Sequence, residues 1–157
     1  MAISVGNKAP DFSLVSDTKE TVNLNDYQGK NLVILFFPLA YTGVCTTELC
    51  TMRDDISNYK DMNADIVAVS VDSPFVLEQF KASQNLNFPL LSDFNKEAST
   101  AYESIYEEFP AFGMRGVSKR SAFVIDKEGV VRYKEICNSP GDLPNFDAIK
   151  ETLSGLK

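Results

Sequence analysis

The stretch LVILFFPLAYTGVCTTELC, Leu32–Cys50, changes rhythm in a way that decides the fold. Leu32 to Phe37 is an unbroken run of apolar β-formers, the pattern of a strand buried on both faces. Pro38 ends it, because proline has no N–H to give to a sheet ladder. A short turn follows, and Thr42 has the chemistry of an N-cap for a helix that begins near Thr42 or Gly43. Leu49, Met52, Ile56 and Tyr59 then recur at helical spacing, so residues 43–61 are expected to form one helix with a single inward stripe. A strand, a proline, a turn and a helix start, in that order, place Cys45 in the first helical turn.

Working outward, Asp65–Val71 (DIVAVSV) reads as a second buried strand. Ser73-Pro74 supplies an N-cap and a proline at the first helical position, predicting a helix to about Gln84. Asp11–Val15 and Thr21–Leu24 form an N-terminal hairpin around Ser16-Asp17. Pro89–Leu91 is a short strand and Lys96 to about Ser104 a helix. Ser121–Asp126 and Val130–Ile136 make a closing hairpin around Lys127-Glu128-Gly129, and Asn145 to about Leu153 is the last helix. The order β-β-β-α-β-α-β-α-β-β-α predicts an α/β fold in one domain, residues 1–157: a central mixed sheet flanked by helices. A parallel crossover joins Leu32–Phe37 to Asp65–Val71. Tyr106–Lys119 has no clear period yet holds two Phe, a Met and a Val. It reads either as an interface or as a loop tucked on its own core.

Composition removes most other chemistries. The net charge is −7, which repels phosphate backbones and argues against nucleic acid as a partner. The absence of histidine excludes Ser-His-Asp and Cys-His hydrolases and His-based zinc sites. Neither GxGxxG nor GxxxxGK[ST] occurs. The adjacent acids Asp54-Asp55 and Glu107-Glu108 diverge on a helix and read as solvated faces. Met1–Val5 has no basic start, and no apolar run approaches the ~20 residues of a membrane helix. A cytoplasmic protein without a membrane partner is expected. Three cysteines, Cys45, Cys50 and Cys137, are too few and too odd for a secreted disulfide framework, and suit a reducing compartment.

Cys45 is the informative thiol. Unpaired backbone N–H groups and the helix dipole face a side chain in the first turn. Helix N-termini and neighbouring cations favour a thiolate. The Thr42 hydroxyl, three residues earlier, can donate to the sulfur or to an oxygen approaching it, and Pro38 can shield the site from water. With no histidine, the cation must be Lys or Arg. Arg53 is two turns too far along the helix, and Arg132 alternates with apolar neighbours toward solvent. Arg120, at the start of a buried strand, is the first choice and Arg115 the second. Glu48, one turn after Cys45, can hold the arginine in place.

Pro38-Leu-Ala-Tyr-Thr42-Gly-Val-Cys45 resembles the P-x-x-x-[TS]-x-x-C signature of the peroxiredoxins. Arg120 before Ala-Phe-Val-Ile-Asp126 resembles that family's arginine. GNKAPDFSL (Gly6–Leu14) and FPLLSD (Phe88–Asp93) are also similar to peroxiredoxin segments, with FFPLAYTGVCTTELC nearest to the AhpE-like and bacterioferritin-comigratory-protein groups. The resemblance implies a thioredoxin-like fold and a thiol-dependent peroxidase acting on hydrogen peroxide and alkyl hydroperoxides. Cys45 would be the peroxidatic cysteine, with Pro38, Thr42 and Arg120 completing its pocket and Glu48 in support. The sulfur would become a sulfenic acid without metal or organic cofactor. A thioredoxin-like or other thiol reductant, and a homodimer or larger homo-oligomer, are the partners so implied.

The thiol that reduces the sulfenic acid stays open. Cys50 has the resolving spacing of some bacterioferritin-comigratory members. In a regular helix, however, residues i and i+5 lie roughly 8–9 Å apart, and a disulfide wants about 4.4–6.8 Å between Cα atoms. A Cys45–Cys50 disulfide therefore requires the first turns to unwind, which Thr46 and Thr47 make cheaper. Cys137 or an external thiol are the alternatives. A redox sensor or chaperone-like binder switched by Cys45 oxidation is the competing function, for which the apolar Tyr106–Lys119 loop would be the surface. A thiol–disulfide reductase is disfavoured because Thr42, not Cys, stands three residues before Cys45.

Overall fold

A computed structural model describes residues 3–156. Met1, Ala2 and Lys157 lie outside the described residues, and with them the two ends of the expected 1–157 domain and part of the Met1–Val5 reading. In chain order the elements are β1 (Ser13–Ser16), β2 (Thr21–Asn23), a 3-10 turn (Leu24–Tyr27), β3 (Asn31–Phe36), α1 (Gly43–Asp54), α2 (Ile56–Asp61), β4 (Ala64–Ser70), α3 (Pro74–Gln84), β5 (Leu90–Ser92), α4 (Glu97–Ala101), β6 (Ser121–Ile125), β7 (Val131–Ile136) and α5 (Phe146–Ser154). The strands form one sheet in the order β2-β1-β5-β4-β3-β6-β7. β3, β4 and β5 run parallel, while β6 is antiparallel to both β3 and β7, and β1 to β5 and β2. The mixed sheet and both hairpins are as expected.

The apolar run at β3 is explained by burial on both sides. Val33 and Leu35 join one core with Cys45, Leu49 and Met52 of α1, Leu77 and Phe80 of α3, and Ile149 and Leu153 of α5. Leu32, Ile34 and Phe36 join the opposite core with Val67, Val69, Tyr102 and Phe123. Each buried side chain of this size contributes roughly 1.5–3 kcal/mol, so the strand that ends at the site is among the best anchored in the molecule. Phe37 continues its pairing by donating its N–H to the Val69 carbonyl at 2.9 Å.

Strand ends shift by one or two residues from the sequence reading, and three segments depart from it or resolve it further. The single helix expected over 43–61 is two, broken at Asp55 (φ −108°, ψ 10°). The Asp55 carboxylate accepts from Asn58 and, at 2.8 Å, from Lys150. Aspartate is a weak helix former, and this one is tied across to α5 through Lys150. The Lys96–Ser104 helix is confined to Glu97–Ala101, bounded by left-handed residues at Lys96 and Glu103. Tyr106–Lys119 folds back on itself: Tyr106 and Val117, Gly116 and Tyr106, and Phe109 and Met114 share backbone hydrogen bonds. Most of the loop is thus tied to itself, but Phe112 at its tip is 92% exposed.

Candidate active site

The site is assembled where β3, α1 and β6 meet. Residues 38–42 form the turn between β3 and α1. Pro38 and Ala40 are buried in it. The Ala40 N–H donates to Asp72 Oδ2 at 2.8 Å, and the same oxygen accepts from Ser70 Oγ at 2.7 Å. Ser92 Oγ donates to the Asp72 carbonyl at 2.6 Å. The ends of β4 and β5 therefore fix the turn through one carboxylate. Tyr41 takes φ +68°, a conformation costing a non-glycine residue on the order of 1 kcal/mol or more. Its ring rests on Phe80, centroid to centroid 5.0 Å.

Thr42 is the N-cap residue, as expected, with extended backbone. Its hydroxyl, however, donates to the Leu39 carbonyl at 2.9 Å. It tightens the turn instead of bonding the Cys45 sulfur, because the extended backbone at the cap brings that carbonyl into reach. The first backbone bond of α1 runs from the Thr46 N–H to the Thr42 carbonyl. The N–H groups of Gly43, Val44 and Cys45 precede it, at the positive end of the helix.

Cys45, Glu48, Leu49 and Met52 form the buried face of α1. Cys45 and Glu48 are fully inaccessible. Arg120, just before β6, is 1% exposed and lies between them. Its Nη2 donates to Cys45 Sγ at 3.1 Å and its Nη1 to Glu48 Oε1 at 2.5 Å. Nε and Nη2 also donate to the Pro140 carbonyl, at 3.3 and 3.0 Å. The rigid guanidinium fork thus spends its donors on one thiol, one carboxyl and one backbone carbonyl. The second oxygen of Glu48 is buried without a hydrogen-bond partner. Burial pushes the Glu48 carboxyl up to about 7; Arg120 opposes the shift and Glu135 adds to it.

Cys45, Arg120 and Glu48 are thereby brought together as the sequence suggested. Arg115 is not: it is exposed, 3.8 Å from Glu108 in the loop. Cys50 also stands apart. It is half-buried, with its thiol 3.6 Å from Gln84 Oε1 at the end of α3, and helical α1 separates it from Cys45. All three cysteines are free thiols. Cys137 is closer to the site than its sequence position indicated. Its N–H donates to the Arg120 carbonyl at 2.9 Å. Burial, reinforced by Glu135 and Glu48, pushes its thiol up to about 11. Sequence reading missed Asp72, which stands just before the Ser73 cap, and the Pro140 carbonyl, which carries no residue signature. Among the described residues no group of three Cys, Asp or Glu could hold a metal ion, and no helix is long and apolar enough to cross a membrane.

A buried cysteine at a helix start, bonded by a buried arginine at the end of a mixed sheet, defines a thiol oxidoreductase. Comparison with known proteins narrows the class. Residues 5–134 match the AhpC/TSA family. Alkyl hydroperoxide reductase E of Mycobacterium tuberculosis is 35% identical over 157 residues, covering 98% of each chain. Peroxiredoxin Bcp of Bacillus subtilis is 41% identical over 130 residues, 82% of each. The crystal structure of peroxidoxin BcpB from Mycobacterium tuberculosis superimposes with a TM-score of 0.86 at 25% identity, covering 99% of both chains. The chain belongs to the AhpC/TSA family of peroxiredoxins, and its fold is thioredoxin-like. Its activity is the thiol-dependent reduction of hydroperoxides.

Proposed function

We propose that Cys45 is the sulfur that attacks the peroxide, and that Arg120, Thr42 and Pro38 form its pocket. The observation that carries this is the Arg120 Nη2 to Cys45 Sγ bond of 3.1 Å, with the same guanidinium held by Glu48. A thiolate here displaces the leaving oxygen of ROOH in line: the S–O bond forms as the O–O bond breaks. Arg120 and the leading N–H groups of α1 face the charge that builds on the oxygens, a preorganised arrangement that needs no reorientation during reaction. Pro38 and the Asp72-anchored turn keep water away. The product is Cys45 sulfenic acid with water or an alcohol.

For the second half of the cycle, Cys50 is our resolving thiol, with an external thiol as the other route. Cys137 is disfavoured, because a buried thiol held near 11 supplies little thiolate. The hydroxyls of Thr46, Thr47 and Thr51 all bond back to carbonyls four residues earlier. Such back-bonding weakens a helix slightly, which favours local unwinding of α1 toward a Cys45–Cys50 disulfide. A thioredoxin-like reductant would then reset the site. Three unpaired thiols support a reducing, cytoplasmic setting. A homodimer or larger homo-oligomer belongs to the same reading, supported by the exposed rings of Tyr41 and Phe112; sedimentation velocity tests it. The functional test is peroxide consumption with dithiothreitol. The protein should turn over many equivalents and Cys45→Ser none, whereas an active Cys45→Ser protein would remove Cys45 from its role.

A further inference from the structure

One cation and two acids share a pocket sealed from water. Arg120, Cys45 and Glu48 are 1%, 0% and 0% exposed. The guanidinium bonds the sulfur through Nη2 and the carboxyl through Nη1. One full anion matches one cation and the α1 N-terminus; a second buried anion has no further cation, and an unbalanced buried charge is removed by protonation. The other groups around Glu48 offer no relief. Glu135, from β7, is an acid whose Oε1 is taken by Tyr133 Oη and the Asn145 N–H. Cys137, just beyond β7, is held as a thiol. The partnerless Glu48 Oε2 marks the side of the carboxyl that no cation or donor reaches.

We propose that Cys45 and Glu48 share one negative charge on Arg120, and that Glu48 surrenders its proton when Cys45 is oxidised. This rests on Cys45 being the attacking sulfur. In the reduced site the charge is on sulfur and Glu48 is neutral. Attack converts S⁻ and HOOR into S–OH and RO⁻; sulfur loses two electrons and the O–O bond takes them. RO⁻ takes up one proton to give ROH while Glu48 releases one and becomes a carboxylate, so the site exchanges none with solvent. Cys45 and Glu48 together carry −1 before and after, and Arg120 never loses an anionic partner. The upward displacement of the Glu48 carboxyl by burial agrees with this charge count. Glu48 thus acts as a charge-balancing residue that works through Arg120, in addition to orienting it.

The test follows protons, which a purely orienting role would not move. In a Cys50→Ser background, which stops the cycle at the sulfenic acid, one equivalent of hydrogen peroxide is added near pH 6.5 in weak buffer with an indicator dye. The site with Glu48 should take up no proton per Cys45 oxidised, and Glu48→Gln should take up one. Infrared difference spectra of the protein with Glu48 intact should lose the carbonyl stretch of a protonated carboxyl on oxidation. That measurement stands even where Glu48→Gln fails to fold. One proton taken up with Glu48 present, none taken up by either protein, or no loss of the carboxyl band each overturns the proposal. Mass spectrometry in the same samples distinguishes this from failure of the parent reading. Unoxidised Cys45 would remove both, whereas oxidised Cys45 with the wrong proton count removes only the charge exchange.

Discussion

Arg120→Ala deletes the one cation of the site and separates chemistry from stability. For chemistry, it removes the Nη2 donor 3.1 Å from the sulfur. Loss of one preorganised donor costs about 10²–10³ in rate, and we expect that drop in the second-order rate of Cys45 oxidation. For stability, it strands Glu48 without its partner and leaves the Pro140 carbonyl without two donors. Removing one partner of a buried pair typically costs about 3–5 kcal/mol. The full penalty is expected only above pH 7, where Glu48 would have to be ionised. Below it, the already raised carboxyl keeps its proton and the loss is smaller. The chemical step is read by rapid quench and mass spectrometry of the Cys45 peptide, since the chain has no tryptophan to report it. Stability is read by urea unfolding at pH 5.5 and 8.5. An unchanged oxidation rate in folded Arg120→Ala protein would refute the assignment, and an equal stability loss at both pH values would refute the charge argument.

Other consequences can be measured separately. Because the folded Glu48 carboxyl sits near 7 and its ordinary value is 4.5, it contributes stability that is fully present below about pH 4.5 and lost as pH rises through 7. The loss is on the order of 3 kcal/mol, and it should vanish from the pH profile of Glu48→Gln in denaturant melts. Cys137 should resist iodoacetamide in the folded protein until well above pH 9, and Cys137→Ser should leave peroxide turnover within about twofold of the parent; prompt alkylation at pH 7.5 would contradict its thiol being held near 11. Asp72→Ala frees the Ala40 N–H and Ser70 hydroxyl and is expected to lower the Cys45 oxidation rate by about tenfold through a looser turn, consistent with losing about 1.4 kcal/mol of positioning. A rate equal to the parent would show that the turn holds itself.

Where local rules act alone, the sequence was readable. The buried strand ending at Pro38, the Ser73 cap on α3 and the Cys45–Glu48–Arg120 grouping follow from apolar runs, cap chemistry, one-turn spacing and family resemblance. Most of the misses came from contacts distant in the chain. The helix over 43–61 breaks at Asp55, whose carboxylate meets Lys150 on α5, a partner invisible to periodicity. Thr42 is a local exception: its hydroxyl donates to the Leu39 carbonyl three residues back. Cys137 was hidden by register: the hairpin pairs Ser121 with Ile136, so Arg120 falls opposite Cys137, but a bulge at Val124/Ile125 shifts the count by one from the turn end. Asp72 serves a turn more than thirty residues earlier, and nothing in Asp72-Ser73-Pro74 announces that distance.

The most direct test of the account uses a single equivalent of hydrogen peroxide on the reduced protein, followed by sulfenic-acid trapping with dimedone and peptide mapping. The adduct is predicted on Cys45 in Cys50→Ser protein, and a Cys45–Cys50 disulfide in the parent. An adduct on Cys50 or Cys137 with Cys45 still reduced would contradict the account at its centre.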